Sequence, residues 1–235
     1  MKRILDIFIS ATGLFILSPL ILICLFLIWV YDFKNPFYTP KRMGKNFKPF
    51  KMYKLRSMYQ GADKSGVSST SANDNRITPI GKIIRIIKLD EISQLINVFI
   101  GSMSLVGPRP QVVSHVINEY TDLEKKLLSI KPGITDFSSI VFSDESEILK
   151  NSKDPDKDYN VLIRPWKSRL GLFYVENQSF SVDLKLIFLT IVAIISKPKS
   201  LTMLNRLLLS LNADEQLINI SMRKKQLIPH APPGQ

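Results

Sequence analysis

The chain has 235 residues, of which 32 are Lys or Arg and 20 are Asp or Glu, giving a formal net charge of +12. That length holds one globular domain of moderate size with an accessory segment and excludes a second large domain. The charge calls for an anionic partner: nucleic acid, an anionic leaflet or phosphorylated substrates. A single cysteine, Cys24, excludes a disulfide framework, and with only His115 and His230 as histidines a zinc cluster is not expected.

Residues 7–31 carry no charged side chain. As a straight helix this run would be about 37 Å long, enough to cross a hydrocarbon core of about 30 Å. No small-residue cleavage motif follows it, and it is longer than a signal-peptide core, so it reads as a retained membrane segment. Ser18 and Pro19 fall at its centre, where proline removes a backbone donor and clashes with the carbonyl one turn earlier, so a break is expected there. Both flanks are basic: Lys2 and Arg3 on one side, Lys34, Lys41, Arg42 and Lys45 on the other. If positive residues mark the cytoplasmic face, both ends prefer the same side. A helix that bends at Ser18-Pro19 and returns through the leaflet it entered satisfies both facts; a proline-kinked spanning helix is the alternative.

Residues 47–58, FKPFKMYKLRSM, have strand-like composition, and a period of two places Lys54 and Arg56 on one face with Tyr53 and Leu55 on the other. The two cations then point into one pocket or form a solvated face. Residues 61–75 are poor in apolar side chains and rich in Ser, Asn and Gly, the composition of a mobile loop or lid. Lys82, Arg85 and Lys88 follow among isoleucines, on a helix that lies on a membrane surface or packs into the core.

The adjacent acids Asp90 and Glu91 sit among aliphatics. Carboxylates so placed lose solvation and need a cation, a metal or a hydrogen-bond donor in its stead, as a phosphorylated substrate with its divalent ion supplies. An ordinary helix start accounts for the same pair, since anions suit the first turn; the helix runs from about 90 to 100 with Gly101 as its stop. In the turn GPRP, each proline biases the residue before it toward extended geometry, so Arg109 is held in a narrow range of shapes suited to bidentate contact with phosphate oxygens.

A turn at Lys131-Pro132-Gly133 precedes residues 134–142, of strand character, and an acidic section, 143–159, expected as a surface helix and loop. Residues 184–195 are apolar, interrupted by Lys185 and too short to span comfortably. With the leucine-rich stretch 201–211 they read as an amphipathic helix lying on the bilayer or closing the core. The terminal PHAPPGQ is expected to be disordered. No GxxxxGK[ST] loop, GxGxxG or GxSxG elbow occurs. Nucleic-acid binding is not expected, because the positive charge follows the membrane segments rather than a recognisable module.

Several blocks in fixed order, KRILDI from Lys2, LSP at Ser18-Pro19, YKLRSM, NRITPIGKIIR, LDEISQLINVFIGSMSLVGPRP, KPGIT and YVENQSFSVDLKLIFLT up to Thr190, resemble the bacterial sugar transferases. These are the monotopic polyprenyl-phosphate phosphoglycosyl transferases that begin assembly of surface glycans. The resemblance implies an α/β fold, mainly α: a re-entrant membrane helix at 1–35, a small catalytic domain at 36–212 with interfacial amphipathic helices, and a C-terminal tail at 213–235. It places the protein at the bacterial inner membrane with the catalytic domain facing the cytoplasm.

The implied reaction joins the phosphosugar of a UDP-sugar to polyprenyl (undecaprenyl) phosphate through a covalent intermediate on Asp90, releasing UMP. Glu91 would take a supporting or proton-handling role, because adjacent side chains on a helix diverge by about 100°. Arg85 and Arg109 would clamp phosphate, joined by Lys54 and Arg56. Magnesium, with Asp90 as a ligand, would help neutralise the phosphates. Membrane lipids are further partners, and a homo-oligomer is left open.

The chain also departs from its relatives. Many have proline where Ser93 stands and an acid where Ser102 stands. The usual GITGxxQVxGR block is here GITDFSSIVFSDES, which introduces Asp136, Asp144 and Glu145, and an Asp usual before the Tyr-Val pair is replaced by Gly171. The competing reading is a non-catalytic basic membrane adaptor, which predicts lipid or protein binding without turnover.

Overall fold

A computed structural model describes residues 1–65, 69–71 and 73–235. The apolar N-terminal run forms one helix, α1 (Lys2–Asp32), long and apolar enough to cross a membrane. The break expected at Ser18-Pro19 does not interrupt it. Pro19 has no N–H for the carbonyl of Phe15, but the hydroxyl of Ser18 donates to that oxygen at 2.7 Å, so the acceptor is satisfied without leaving the helix. Phe33, in the left-handed conformation, ends the helix by donating its N–H to Trp29.

Both ends of α1 are held by the rest of the chain. Near its start, Lys2 Nζ pairs with Asp183 at 2.9 Å and donates to the Tyr174 hydroxyl and the Val106 carbonyl. The buried carboxylate of Asp6 accepts from the Ser104 hydroxyl and the Leu105 N–H, and Arg3 donates to the carbonyls of Val98 and Phe99. At its far end Asp32 takes a two-pronged contact from Arg56, at 2.5 and 2.6 Å. Between them Ile21, Cys24 and Ile28 pack with Leu55, Ile84 and Leu89. The outer face exposes Phe8, Phe15, Ile16, Leu22, Ile23 and Phe26, an apolar surface that water does not suit.

The fold is mainly helical, with three small two-stranded sheets among the described residues. Strand β1 (Phe37–Tyr38) pairs antiparallel with β4 (Lys54–Leu55), and β2 (Lys41–Met43) with β3 (Pro49–Lys51). The third pair is parallel: β5 (Ser104–Val106) lies beside β6 (Gly133–Thr135), with Ser104 opposite Gly133 and Val106 opposite Thr135. Side-chain-free residues are required where this pair meets. A Cβ on Gly133 would lie 2.1 Å from the Gly107 nitrogen, and one on Gly107 would lie 2.4 Å from the Lys131 carbonyl oxygen.

Helix α2 (Pro79–Ile86) starts as its sequence dictates, with Pro79 in the first turn and the Thr78 hydroxyl accepting from the Gly81 N–H. It buries Gly81 and Ile84 and leaves Ile83, Ile86 and Ile87 exposed. The single helix expected over 90–100 is two, α3 (Leu89–Ile92) and α4 (Leu95–Ile100), ended by Gly101 in the left-handed conformation as anticipated. The Ser93 hydroxyl takes the Asp90 carbonyl at 2.8 Å, so the Gln94 N–H closes a tighter turn onto Glu91 instead. Helices α5 (Val113–Glu119) and α6 (Asp122–Lys125) follow. The strand expected over 134–142 stops at Thr135, because the Asp136 carboxylate accepts the Ser139 N–H and starts α7 (Phe137–Val141). Two short helices, α8 (Glu145–Ile148) and α9 (Pro155–Asp158), lead to α10 (Arg164–Asn177).

Helices α11 (Phe180–Ile195) and α12 (Lys197–Ser210) pack as a hairpin, and α13 (Glu215–Ser221) lies against α12. Val98, Phe137, Leu170, Tyr174, Leu186, Leu204 and Leu217 share one core. Each fully buried Leu contributes on the order of 1.5–3 kcal/mol. Helix α11 is apolar on both sides: Val182, Leu186 and Leu189 face that core while Phe188, Ile191, Ile194 and Ile195 are exposed. The terminal residues 229–235, expected to be disordered, are docked. The His230 N–H donates to Val161, the Thr121 hydroxyl donates to Pro233, and the His230 ring meets Trp166 edge-on at 4.8 Å. The expected lid, 61–75, lies partly outside the described residues, at 66–68 and 72; in the described part Asp74 pairs with Arg76 at 2.6 Å.

Candidate active site

The turn from α2 into α3 passes through Lys88, whose left-handed backbone (φ 53°) is strained for a residue with a side chain, by about 1 kcal/mol. The turn buries Leu89 and directs Asp90 into a cleft of about 320 Å³. Lys54, on β4, reaches in from the opposite wall, with Nζ 3.2 Å from Asp90 Oδ2. Asp90 is 6 % exposed, so this contact supplies charge compensation that water cannot.

Glu91 points elsewhere. Its Oε1 accepts from Arg109 Nη2 at 2.6 Å. Burial pushes the Glu91 carboxyl up, but the charges of Arg109, Lys54 and Lys88 and the Arg109 hydrogen bond outweigh it and hold it at about 2. The same pairing raises the Arg109 guanidinium further above its already high value. The two acids of the dyad therefore serve different partners, and Asp90 is the one opposite a lysine.

Of the residues expected to share this site, Asp90, Glu91, Lys54, Arg85 and Arg109 all line the cleft. Arg56 does not. The β4 ladder ends at Leu55, and the guanidinium of Arg56 is taken by Asp32 at the end of α1, so the expected Lys54–Arg56 face is divided between two sites. Ser18 and Pro19 line no part of the cleft.

The structure adds residues that sequence reasoning missed. Arg42, on β2, lines the cleft with its Nε buried and unpaired, and burial lowers its pKa. From α10 comes Lys167, which pairs with Glu145 and lies 5.5 Å from the centre of the Tyr159 ring. Burial works against the Lys167 ammonium, but Glu145 and Tyr159 raise its pKa overall. The acidic section 143–159 is thus a wall of the cleft rather than a mere surface loop. Neither Arg42 nor Lys167 had a local signal: the buried position of β2 is Met43, so nothing in the strand marks Arg42, and α10 brings Lys167 from far along the chain.

Six cationic side chains, Arg42, Lys54, Arg85, Lys88, Arg109 and Lys167, line the cleft against the carboxylates of Asp90, Glu91 and Glu145. An excess of three cations suits a ligand with two ionised phosphates, and a buried carboxylate beside it suits attack on phosphorus.

Comparison with known proteins agrees with this geometry. The family model described as bacterial sugar transferase matches residues 1–197. The chain is 33% identical over 213 residues to the exopolysaccharide production protein PSS of Rhizobium leguminosarum bv. phaseoli, covering 85% of this chain and 97% of the relative. It is 46% identical over 110 residues to a putative undecaprenyl-phosphate N-acetylgalactosaminyl 1-phosphate transferase of Bacillus subtilis (strain 168), covering 47% of this chain and 62% of the relative. Against the UDP-glucose:undecaprenyl-phosphate glucose-1-phosphate transferase of Klebsiella pneumoniae the identity is 32% over 193 residues, 81% of this chain but only 39% of that longer protein. Sequence blocks, cleft and relatives converge: the chain belongs to the bacterial sugar transferase family and is an enzyme of the transferase class.

Proposed function

We propose that this enzyme moves a phosphosugar from a UDP-sugar to polyprenyl phosphate through a covalent intermediate on Asp90. The observation that carries the reading is the buried Asp90 carboxylate, paired with Lys54 and set in a cleft with surplus cations while Glu91 is occupied by Arg109. A carboxylate oxygen of Asp90 attacks the sugar-bearing phosphorus, the bond from that phosphorus to the bridging oxygen breaks, and UMP leaves. A phosphate oxygen of polyprenyl phosphate then attacks the same phosphorus, the aspartyl bond breaks, and polyprenyl-diphosphate-sugar departs. Two displacements replace one difficult encounter between two anions. Arg109, Arg85 and Lys54 take up the phosphate charge, and Glu91 fixes the Arg109 guanidinium.

Magnesium fits the donor set. Among the described residues no group of three or more Asp, Glu, His or Cys side chains forms a metal cage, whereas Mg²⁺ is ordinarily held by one or two carboxylates with substrate phosphates and water. Asp90 Oδ1, which Lys54 does not engage, would hold it, and the ion would neutralise phosphate charge.

The test is rapid quenching with a panel of UDP-sugars, read by intact-mass spectrometry and UMP release. Without polyprenyl phosphate, one donor should give about one UMP per enzyme and a phosphosugar adduct on the protein; with acceptor, UMP release becomes continuous. Sustained product with no adduct at any quench time would overturn the covalent route.

The same proposal makes α1 re-entrant, with the catalytic domain on the cytoplasmic side of the bacterial inner membrane. One globular unit grips both Lys2 and Asp32, while the outer face of the helix is apolar; a crossing would put those ends on opposite sides. In a Cys24→Ser background, single cysteines in a short N-terminal extension and at Lys34→Cys should both react with a membrane-impermeant maleimide in inverted vesicles and neither in intact cells. Labelling from opposite sides would establish a spanning helix.

A further inference from the structure

Beyond the acid dyad, a second charged group lies where the family match ends. Asp144 Oδ2 pairs with Lys197 Nζ at 2.6 Å and lies 3.8 Å from Arg223 Nη2. The guanidinium of Arg223 sits 5.0 Å from the centre of the Phe142 ring, its Nη1 is buried without a hydrogen-bond partner, and so is Asp144 Oδ1. Phe142 and Ser143 line the cleft that holds Asp90, as does Lys88. Burial lowers the Lys197 pKa, and the charges of Arg223 and Lys88 lower it further against Asp144.

Two cations therefore hold one carboxylate, a third, Lys88, lies along the same cleft wall as Phe142, and a buried guanidinium nitrogen has nothing to bind. Such an arrangement is costly unless an anion completes it. What precedes the two lysines shows which kind. Ile86 and Ile87, 80% and 47% exposed, come directly before Lys88; Ile194 and Ile195, 74% and 82% exposed, come just before Lys197. Each lysine thus follows an exposed isoleucine pair, the pairing of apolar body and cationic head that suits a lipid whose headgroup is a phosphate.

We propose that Lys88, Lys197 and Arg223 form the membrane-side port that receives the phosphate of the polyprenyl phosphate acceptor and passes it along the Phe142 wall to the Asp90 cleft. This rests on the transferase reading for the identity of the lipid. Asp144 holds the two distal cations in place while the port is empty and competes with the incoming phosphate. Arg42, Arg109 and Lys167 remain for the nucleotide half of the donor, so the two substrates approach Asp90 from different sides.

The test uses the full-length enzyme in nanodiscs. Arg223→Gln should raise the KM for undecaprenyl phosphate about tenfold, the loss expected for one charged hydrogen-bond partner, while the KM for the UDP-sugar moves less than twofold. Arg223→Lys should recover most of the loss. Asp144→Asn should lower the acceptor KM, a change of opposite sign that a purely structural ion pair would not give. Equal losses toward both substrates in Arg223→Gln, or a raised acceptor KM in Asp144→Asn, would overturn the port.

Binding is read separately, so that the port is judged even if turnover fails. In nanodiscs of otherwise identical composition, undecaprenyl phosphate should raise the Tm of wild-type enzyme more than undecaprenol does, and Arg223→Gln should lose that difference. An equal rise with the two lipids, or the same rise from low-millimolar inorganic phosphate alone, would overturn the assignment. A wild-type enzyme that binds the lipid yet releases no UMP from any UDP-sugar would reject the transferase reading and leave the port standing.

Discussion

Asp90→Asn is expected to lower UMP release by roughly 10⁴-fold or more, the scale seen when a covalent nucleophile is removed, while the protein stays folded. The amide matches the carboxylate in shape, and its oxygen still faces Lys54 Nζ, which lies 3.2 Å from Asp90 Oδ2 in the parent. What disappears is the anionic lone pair that the proposed route needs for attack on phosphorus. The phosphosugar adduct should vanish from the intact-mass spectrum together with turnover. Glu91→Gln makes the contrast: it removes the Arg109 pairing but leaves a nucleophile, so adduct formation should slow without disappearing. Retention of more than about one hundredth of wild-type turnover by Asp90→Asn would remove Asp90 from the nucleophile's role, against a loss of order 10⁴. An adaptor protein would show no response to either change.

Arg109→Gln should cost about 10²- to 10³-fold in kcat/KM, the range for losing one preorganised donor to developing phosphate charge. Pro108 and Pro110 fix the backbone on either side of Arg109, and the 2.6 Å contact with Glu91 fixes its head, so the guanidinium is positioned before any substrate arrives. Arg109→Lys keeps the charge but loses the planar fork and should fall between.

The same substitution has a stability signature. Glu91 has a folded pKa of about 2 against an ordinary value of 4.5. A lowered carboxyl pKa stabilises the fold above the ordinary value, and that contribution is lost as pH falls through about 2. Without Arg109, burial pushes the carboxyl back up against Lys54 and Lys88 alone, and most of the contribution is gone at every pH. The wild-type minus variant difference in Tm should therefore be widest near pH 7 and narrow as pH drops from 4.5 toward 2. A difference that widens on acidification would contradict the pairing.

Local signals in the sequence were strong and long-range ones absent. The uncharged run 7–31 announced α1, and Gly101 marked the end of the helix after the dyad. The prolines around Arg109 identified a prepositioned cation. By contrast, a two-residue strand cannot hold a period-two expectation, and Arg56 went to Asp32 because α1 returned a carboxylate to that spot. The split between α3 and α4 turned on one hydroxyl, Ser93, competing for the Asp90 carbonyl. Proline and glycine in 229–235 suggested disorder, but a tail needs only a few partners to dock, and Thr121, Val161 and Trp166 supplied them. Arg42 and Lys167 belong to the cleft through tertiary placement alone, which no window of sequence records.

The contacts of Lys2 and Asp6 also bear on how the molecule is made. Lys2 leaves the ribosome well before the residues that satisfy it, Tyr174, 172 residues further along, and Asp183 beyond it. Asp6 caps Ser104 and Leu105, at the strand that leads into the Arg109 turn. Nascent domains generally fold as units in order of synthesis, but here the start of α1 stays unpaired until α10 and α11 have been made. A chain in which α1 is held away from the rest would carry an open Asp183 and an unsupported strand before the Arg109 turn, so the cleft is completed only once α1 has docked.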